Sequence, residues 1–397
     1  MYDIAIIGAG ASGLAAAISA KRTNSKLNVV LLESLPRVGK KILATGNGRC
    51  NLTNLNAASA NYNDCFVCDI LEKYPPKKVI EFFRSIGLVC TADSEGRVYP
   101  ASNTATSVLD CLRFEAERLR VEIICDFHAD EILKRDNYFL INNSVKTKKI
   151  ILATGGKSSP AQGSDGSGYT LLKKLGHTVT PLYPVLVQLT VSENVKSLKG
   201  VRVKANVTLI SENTVVDSSK GEVLFTDYGL SGISIMDISR SVRNKKYLCR
   251  LDILPCMNEN EIKKFLFERK KQNPELSAEN ALSGILPKKA GQYILRICGI
   301  HSDKPIKTLD KFSISSVSQK IKSLDFTVTG TNGFKNAQIT SGGAELSEFD
   351  SRTLESKKIK NLFCTGELLN IDSVCGGFNL QWAWASGLTA GQFAANE

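Results

Sequence analysis

The stretch from Tyr2 to Glu33 constrains the fold more than any other part of this 397-residue chain. It opens with a short, β-branched apolar run, Ile4-Ala5-Ile6-Ile7, of the kind that forms a buried strand in a parallel sheet. Gly8-Ala9-Gly10-Ala11-Ser12-Gly13 follows, then an alanine-rich helical segment from Leu14 to about Arg22, then a second apolar run, Val29–Leu32, ending on Glu33. In such a unit Gly8 permits the tight turn, Gly10 lets a pyrophosphate approach the backbone, and Gly13 lets the helix pack on the strand. The helix N-terminus around Ala9, Ala11 and Ser12 offers free N–H groups to phosphates. Glu33 lies about 20 residues beyond the glycines, where a carboxylate accepts both ribose hydroxyls. An acid there favours FAD or NAD over a 2′-phosphorylated nucleotide. These residues predict a dinucleotide site and leave FAD and NAD unseparated.

The rest of the composition bounds this reading. The chain is long enough for two or three domains, and 43% hydrophobic with 23% charged residues is a globular balance. No apolar run approaches the roughly 18–20 residues of a membrane span. The first strand starts so early that a leader peptide would have to include the glycine turn, so a cytoplasmic protein without membrane association is expected. Of the 11 cysteines only Cys65 and Cys68 form a CxxC, with no second pair at metal-site spacing, and the histidines are His128, His177 and His301 alone. No metal site is expected, and the cysteines read as reduced core thiols.

The net charge of +12 is uneven: residues 189–330 hold 23 Lys/Arg against 15 Asp/Glu, which leaves +8 there. The basic runs Arg243-Asn244-Lys245-Lys246 and Arg269-Lys270-Lys271 lack interleaved aromatics and read as solvated faces, so nucleic acid is not the expected partner.

Beyond Glu33 the chain reads Gly39-Lys40-Lys41 and then Ala44-Thr45-Gly46-Asn47-Gly48-Arg49-Cys50-Asn51-Leu52-Thr53-Asn54. So much Gly, Asn and Lys/Arg predicts a loop that presents N–H groups and positive charge to an anion. This long string resembles the hallmark of a bacterial flavoprotein family, the aminoacetone-oxidase-like or BaiN-like NAD(P)/FAD-dependent oxidoreductases. The resemblance continues along nearly the whole chain. Thr154-Gly155-Gly156, after the strand Lys149–Leu152, is similar to the "ATGG" motif of two-dinucleotide-binding-domain flavoproteins. Gln338–Gly343 and Thr353-Leu354-Glu355-Ser356-Lys357 resemble the family's "VTxGG" and "TMESK" segments, with Ala344 and Leu354 as departures. Gly163–Gly168 resembles a segment of the fumarate-reductase and ketosteroid-dehydrogenase branch that sets a helix N-terminus on the substrate side.

The resemblance implies an α/β fold: a Rossmann-like FAD-binding domain, residues 1–188 and 331–397, interrupted by an inserted domain, residues 189–330. The insert reads as β-barrel-like over 189–256, where apolar and polar residues alternate, and helical over 257–330; in the family it covers the flavin and shapes the substrate pocket. The return of the chain to the first domain separates FAD from NAD. The expected FAD contacts, besides the glycine turn and Glu33, are Lys40, Lys41, Thr45, Gly46, Asn47, Gly48, Arg49, Cys50 and Asn51. Main-chain atoms near Glu131 and Ile132 are expected at the adenine, and Thr154, Gly155, Gly156, Gly366, Glu367 and Asp372 complete the cradle. Gly376, Gly377, Phe378, Asn379, Leu380 and Gln381 precede or open a helix whose positive end would stabilise an anionic reduced flavin.

No second GxGxxG occurs, so NADH or NADPH would bind only transiently, at the flavin face. No catalytic acid stands out; Arg49, Tyr99 and His301 are candidates by chemistry alone. The expected activity is hydride transfer to or from a small or mid-sized organic substrate, as an enone reductase or an amine or amino-ketone oxidase. A flavin-containing RNA-modifying or RNA-binding protein and a non-catalytic flavoprotein interaction module are the alternatives.

Overall fold

The computed structural model describes residues 1–243 and 245–396; Asn244, in one of the basic runs, and Glu397 lie outside the described residues. The chain divides into two compact units, residues 1–184 with 334–397, and residues 185–333.

In the first unit the strand Tyr2–Ile7 runs parallel to Val29–Leu32 on one side and to Val145–Leu152 on the other, Ile6 pairing with both Leu31 and Ile151. Ile4, Ala5 and Ile6 are fully buried, as a strand covered on both faces requires. Glu122–Ile124 extends the sheet beyond Val29–Leu32 in parallel. Besides Tyr2–Ile7, the long strand Val145–Leu152 serves two further neighbours. Its first half pairs antiparallel with Phe139–Ile141, and its second half pairs parallel with Leu362–Cys364. The sheet branches there, and Ile132–Lys134 completes the antiparallel arm.

The helix Ala11–Thr23 is buried over most of its surface, because its alanines let neighbours come close. The helix Phe378–Ala395 lies along it. A Cβ at Gly387 would sit 2.3 Å from the Ser12 carbonyl oxygen, and one at Gly391 would sit 2.2 Å from that of Ala16. Only glycine allows this spacing. The Ser19 hydroxyl donates to the Leu388 carbonyl at 2.7 Å across the seam.

The stretch expected as a loop carries ordered elements. Residues 40–44 form a short helix, and Thr53–Asn54, Arg97–Pro100 and Cys90–Ala92 form a small antiparallel sheet with Arg97–Pro100 in the middle. Its central strand buries Val98.

The second unit is a closed six-stranded barrel, in the order Leu189–Val191, Gly229–Ser231, Thr214–Phe225, Arg202–Ser211, Tyr247–Asp252 and Leu324–Thr331. Alternation sets the inward face: Val203, Ala205, Val207 and Leu209 are buried along one strand. The helices Glu259–Gln272, Ala278–Leu282, Lys288–Ile297 and Lys311–Lys322 lie between the last two strands in sequence. The insert is therefore not a β part followed by a helical part: residues 324–331 return to close the barrel against Leu189–Val191.

Candidate flavin site

The glycine turn has two kinds of glycine. A Cβ on Gly13 would lie 1.9 Å from the Gly8 carbonyl oxygen, and one on Gly8, whose φ is +102°, would lie 2.5 Å from that of Ala153. These two glycines are demanded by packing. Gly10 is different: a Cβ there would meet nothing within 4 Å, although its φ of −82° would admit any residue. The space in front of Gly10 is what a pyrophosphate needs. The helix it opens has no side-chain cap and no acid in its first turn, so the first N–H groups remain available to an anion.

Glu33 is buried beside this turn. Its carboxylate accepts from the Ala9 N–H at 2.9 Å and from the Leu35 N–H at 3.0 Å, which fixes it at the strand end. Gly163 also packs there, its Cβ position 3.7 Å from the Glu33 carboxylate. The turn that resembles a substrate-side segment thus stands against Glu33, beside the glycine turn.

Lys41 pairs with Glu367 at 2.8 Å. The other Glu367 oxygen accepts from the Thr340 N–H at 2.7 Å, and its main-chain carbonyl accepts from the Tyr169 hydroxyl at 3.1 Å. Burial raises the Tyr169 phenol well above its ordinary range, so it stays a donor. A Cβ on Gly156 would be 2.5 Å from both the Glu367 carboxylate and the Thr340 hydroxyl. Thr154 backs the same corner, where a Cβ on Gly168 would strike its hydroxyl at 1.9 Å. Gly366 is held by its N–H on the Ser386 hydroxyl at 2.9 Å and by the Trp382 indole N–H on its carbonyl at 3.0 Å.

The loop Thr45–Asn51 wraps this region through left-handed residues: Gly46, Asn47, Gly48 and Cys50 all have positive φ. Thr45 donates its hydroxyl to the Ile42 carbonyl at 2.7 Å. Cys50 is a core residue whose thiol burial pushes up to about 12, which makes it a packing group and a poor nucleophile. The buried Asn51 Oδ1 has no hydrogen-bond partner among the described residues, and a Cβ on Gly377 would lie 2.8 Å from it. An orphaned acceptor in a glycine-lined corner calls for a donor from a ligand. The ring N–H and the hydroxyls of FAD are donors of that kind.

Gly376 and Gly377, both at positive φ, open the helix Phe378–Ala395, which also lacks a side-chain cap. Asn379 ties down the preceding turn, accepting from the Ser373 N–H at 2.9 Å and donating to the Ser373 and Val374 carbonyls. Gln381 is fully buried; it accepts from the Thr53 hydroxyl at 2.6 Å and donates to the Tyr74 carbonyl at 2.7 Å. Both side chains therefore brace the site from behind, and the first-turn N–H groups of Phe378 to Leu380 are what the helix offers a ligand. Asp372 is buried in the turn before, where its N–H meets the Asn63 side-chain oxygen at 2.8 Å. Glu131 donates its N–H to the Asn142 side-chain Oδ1 and its carbonyl accepts from the Asn142 N–H, at 3.1 Å each, next to buried Ile132.

Of the three catalytic candidates, two come together. The exposed Arg49 guanidinium lies 4.7 Å over the Tyr99 ring, and Lys40 begins the short helix before their loop. His301 is in the other unit, exposed in the turn after the helix Lys288–Ile297. Cys65, Cys68 and Cys256 are exposed rather than core thiols, while Cys50, Cys249 and Cys364 are buried.

Sequence reading missed one buried network in this unit. The His177 side chain is fully enclosed, with Nδ1 2.6 Å from Glu348, Nε2 3.0 Å from the Ser356 hydroxyl, and Phe349 stacked on the ring. The Ser356 oxygen also accepts from the Lys358 and Ile359 N–H groups, so the "TLESK" segment serves as a structural clasp. The partners stand more than 170 positions from His177, and a lone histidine in sequence carries no sign of them.

The chain matches the family described as the HI0933-like protein Rossmann domain over residues 2–393. It is 38% identical to the 3-dehydro-bile acid delta(4,6)-reductase of Clostridium scindens, covering 100% of this chain and 99% of that protein. It is 28% identical to the ribosomal RNA dihydrouridine synthase of Escherichia coli, covering 98% of this chain and 97% of that one. Among solved structures, a quinol–fumarate reductase with menaquinol aligns with 99% of this chain and 70% of its own at a TM-score of 0.51 and 16% identity, a likeness of fold. No helix among the described residues is long and apolar enough to cross a membrane. The protein belongs to the HI0933-like family and is an FAD-dependent oxidoreductase on a Rossmann-type fold.

Proposed function

We propose that the protein reduces a carbon–carbon double bond conjugated to a carbonyl in a small or mid-sized organic molecule, with NADH or NADPH as electron donor. One observation carries this: end-to-end similarity to a relative named as a delta(4,6)-reductase of a 3-dehydro bile acid. A 3-keto group with unsaturation at positions 4 and 6 is a conjugated dienone. The flavin, when bound, supplies the hydride chemistry.

The protein's residues supply position and charge. Gly10, the uncapped N–H groups after it and Glu33 hold the nucleotide. With the cofactor bound, Asn51 Oδ1 would accept a hydrogen bond from it, and the first turn at Phe378 would favour negative charge on the reduced ring. Arg49, exposed over Tyr99, presents a cation to the substrate oxygen on which negative charge develops, and the Tyr99 phenol is the nearby group able to deliver a proton.

Anaerobic titration of the purified holoprotein with NADH and NADPH tests this. The expected result is bleaching of the flavin band near roughly 450 nm, reversed by a 3-keto-4-ene steroid with one equivalent of saturated product. Failure of both nucleotides to bleach it, together with bleaching by amines and peroxide formation in air, would establish an oxidase instead. A second reading applies the same reduction to uridine in RNA, whose double bond is also conjugated to a carbonyl. The +8 excess over residues 189–330 favours it, and dihydrouridine formation in a transcript would be its assay.

A further inference from the structure

A cleft in the inserted unit, of about 490 Å³, is lined by Ser197, Lys289, Gln292, Tyr293, Arg296 and the turn Gly299–Ser302 with His301. The helix Lys288–Ile297 builds most of it, because positions 289, 292, 293 and 296 fall on one face. The helix ends in a Schellman turn. The Ile300 N–H bonds to the Leu295 carbonyl at 2.9 Å, and the Gly299 N–H bonds to the Arg296 carbonyl at 3.1 Å, with Gly299 left-handed. The Leu295 and Arg296 carbonyls are thereby engaged, and the turn brings His301 into the same cleft as Arg296.

The lining holds donors and no carboxylate. Lys289 and Arg296 reach only main-chain carbonyls, at 3.3 and 3.5 Å. Two carboxylates stand beside it: Glu279, which accepts from Gln292 and pairs with Lys288, and Glu193, which accepts from the Thr327 N–H and whose charge acts on Tyr293. Tyr293 buries its ring against Phe326 and under Arg296, while its hydroxyl has no protein partner among the described residues. Two cations, an imidazole, a phenol and two serines lining one cleft form more donors than a carboxylate needs, and they suit the three or four oxygens of a phosphate. The volume falls in the range of about 300–1,000 Å³ typical of organic-ligand pockets, which exceeds what a free inorganic ion fills.

We propose that this cleft binds the phosphate of a nucleotide, with Lys289 and Arg296 pairing its charge and Tyr293, His301 and Ser302 donating to its oxygens. The site stands on the inserted unit alone and does not depend on the reaction assigned above. A dinucleotide and an RNA strand carry the same group, and the two are told apart by titration. The flavin-loaded full chain is titrated with NADP⁺ by calorimetry, with inorganic phosphate as a size control, and with a fluorescein-labelled oligouridylate of about ten nucleotides by anisotropy at several salt concentrations.

NADP⁺ binding alone assigns the site to a dinucleotide. Oligouridylate binding that weakens steeply with salt assigns it to RNA. In either case the double substitution Lys289→Glu/Arg296→Glu is expected to weaken binding at least about tenfold and, for RNA, to flatten the salt slope by about one to two. Lys271→Glu, an exposed charge reversal elsewhere in the unit, is expected to change it less than about twofold. Equal losses in the double variant and in Lys271→Glu, with melting by circular dichroism unchanged in both, would reduce the effect to diffuse charge and overturn the site. Absence of binding by NADP⁺ and by RNA would overturn it as well.

Discussion

The two units use glycine and burial for different ends. In the first, several backbone positions stand open where nothing in the protein fills them: the space before Gly10, the uncapped helix starts, the unpartnered Asn51 oxygen. In the second, the close positions are closed by the barrel itself: a Cβ on Gly229 would lie 2.2 Å from the Leu189 carbonyl, and one on Gly232 would lie 2.2 Å from that of Glu222. A unit made to hold a cofactor leaves its polar groups incomplete. In the second, close-packed glycines serve the closure of the barrel wall. The difference explains why the first announces its chemistry in sequence and the second announces only its period.

The sharpest way to break this comparison is at the glycine turn. Gly13→Val places atoms inside the Gly8 carbonyl, so we expect loss of flavin together with a stability loss of about 3 kcal/mol or more by chemical denaturation. Gly10→Ala, three positions away, is expected to leave the unfolding curve of the apoprotein unchanged while flavin occupancy falls at least about tenfold, since the added methyl enters only the space a ligand needs. Equal destabilisation by the two would erase the distinction between packing glycines and cradle glycines. In the barrel, Gly229→Ala is expected to cost about 1–3 kcal/mol with flavin occupancy unaltered at temperatures below the transition. Flavin loss there would tie the two units more tightly than their separate cores suggest.

The smallest effect concerns the buried clasp at His177. Burial lowers the His177 pKa below its ordinary 6.5, outweighing the pull of Glu348 in the other direction. Burial also opposes ionisation of Glu348, but hydrogen bonds from Lys358, Thr178 and His177 prevail and hold it at about 2 instead of 4.5. Both folded values are depressed. The stability they contribute is whole above pH 6.5 for His177 and above 4.5 for Glu348, and it is lost as pH falls, for Glu348 down to about 2. Glu348→Gln is therefore expected to lower stability by about 1–2 kcal/mol at pH 7 and to flatten the acid limb of urea-unfolding free energy against pH. An unchanged acid limb would show that other carboxylates set it.

Much of the first unit was legible because each signal is local. Strand, turn, helix and acid lie within residues 2–33, and the apolar run 149–152 leads directly into Thr154-Gly155-Gly156. The small sheet around Arg97–Pro100 was not, since its partners Thr53–Asn54 and Cys90–Ala92 are short and its centre is full of turn residues. In the insert, Ile314, Val317 and Ile321 mark the buried face of a helix, and Leu324, Phe326 and Val328 alternate as a strand does. Those periods were present in sequence, but only closure of the barrel on Leu189–Val191 shows why a strand should follow the helices. Gln381 and Asn379 illustrate a different limit. Their amides look like ligand contacts beside a glycine pair, and which way each points is set by Thr53, Tyr74 and Ser373, far off or hidden behind a turn.

The glycine seam between the helices Ala11–Thr23 and Phe378–Ala395 has a consequence for how the molecule is made. Ser19 finds its partner, the Leu388 carbonyl, 369 positions later, and the wall behind the nucleotide turn is built from that late helix. On a ribosome the first strand, turn and helix emerge long before their second half exists. Until it arrives the alanine face of Ala11–Thr23 has no cover, and contacts of such long range are slow to close. Flavin capture is accordingly a late event in synthesis, and a chain cut short before Gly387 would leave a complete fingerprint with nowhere to hold the cofactor.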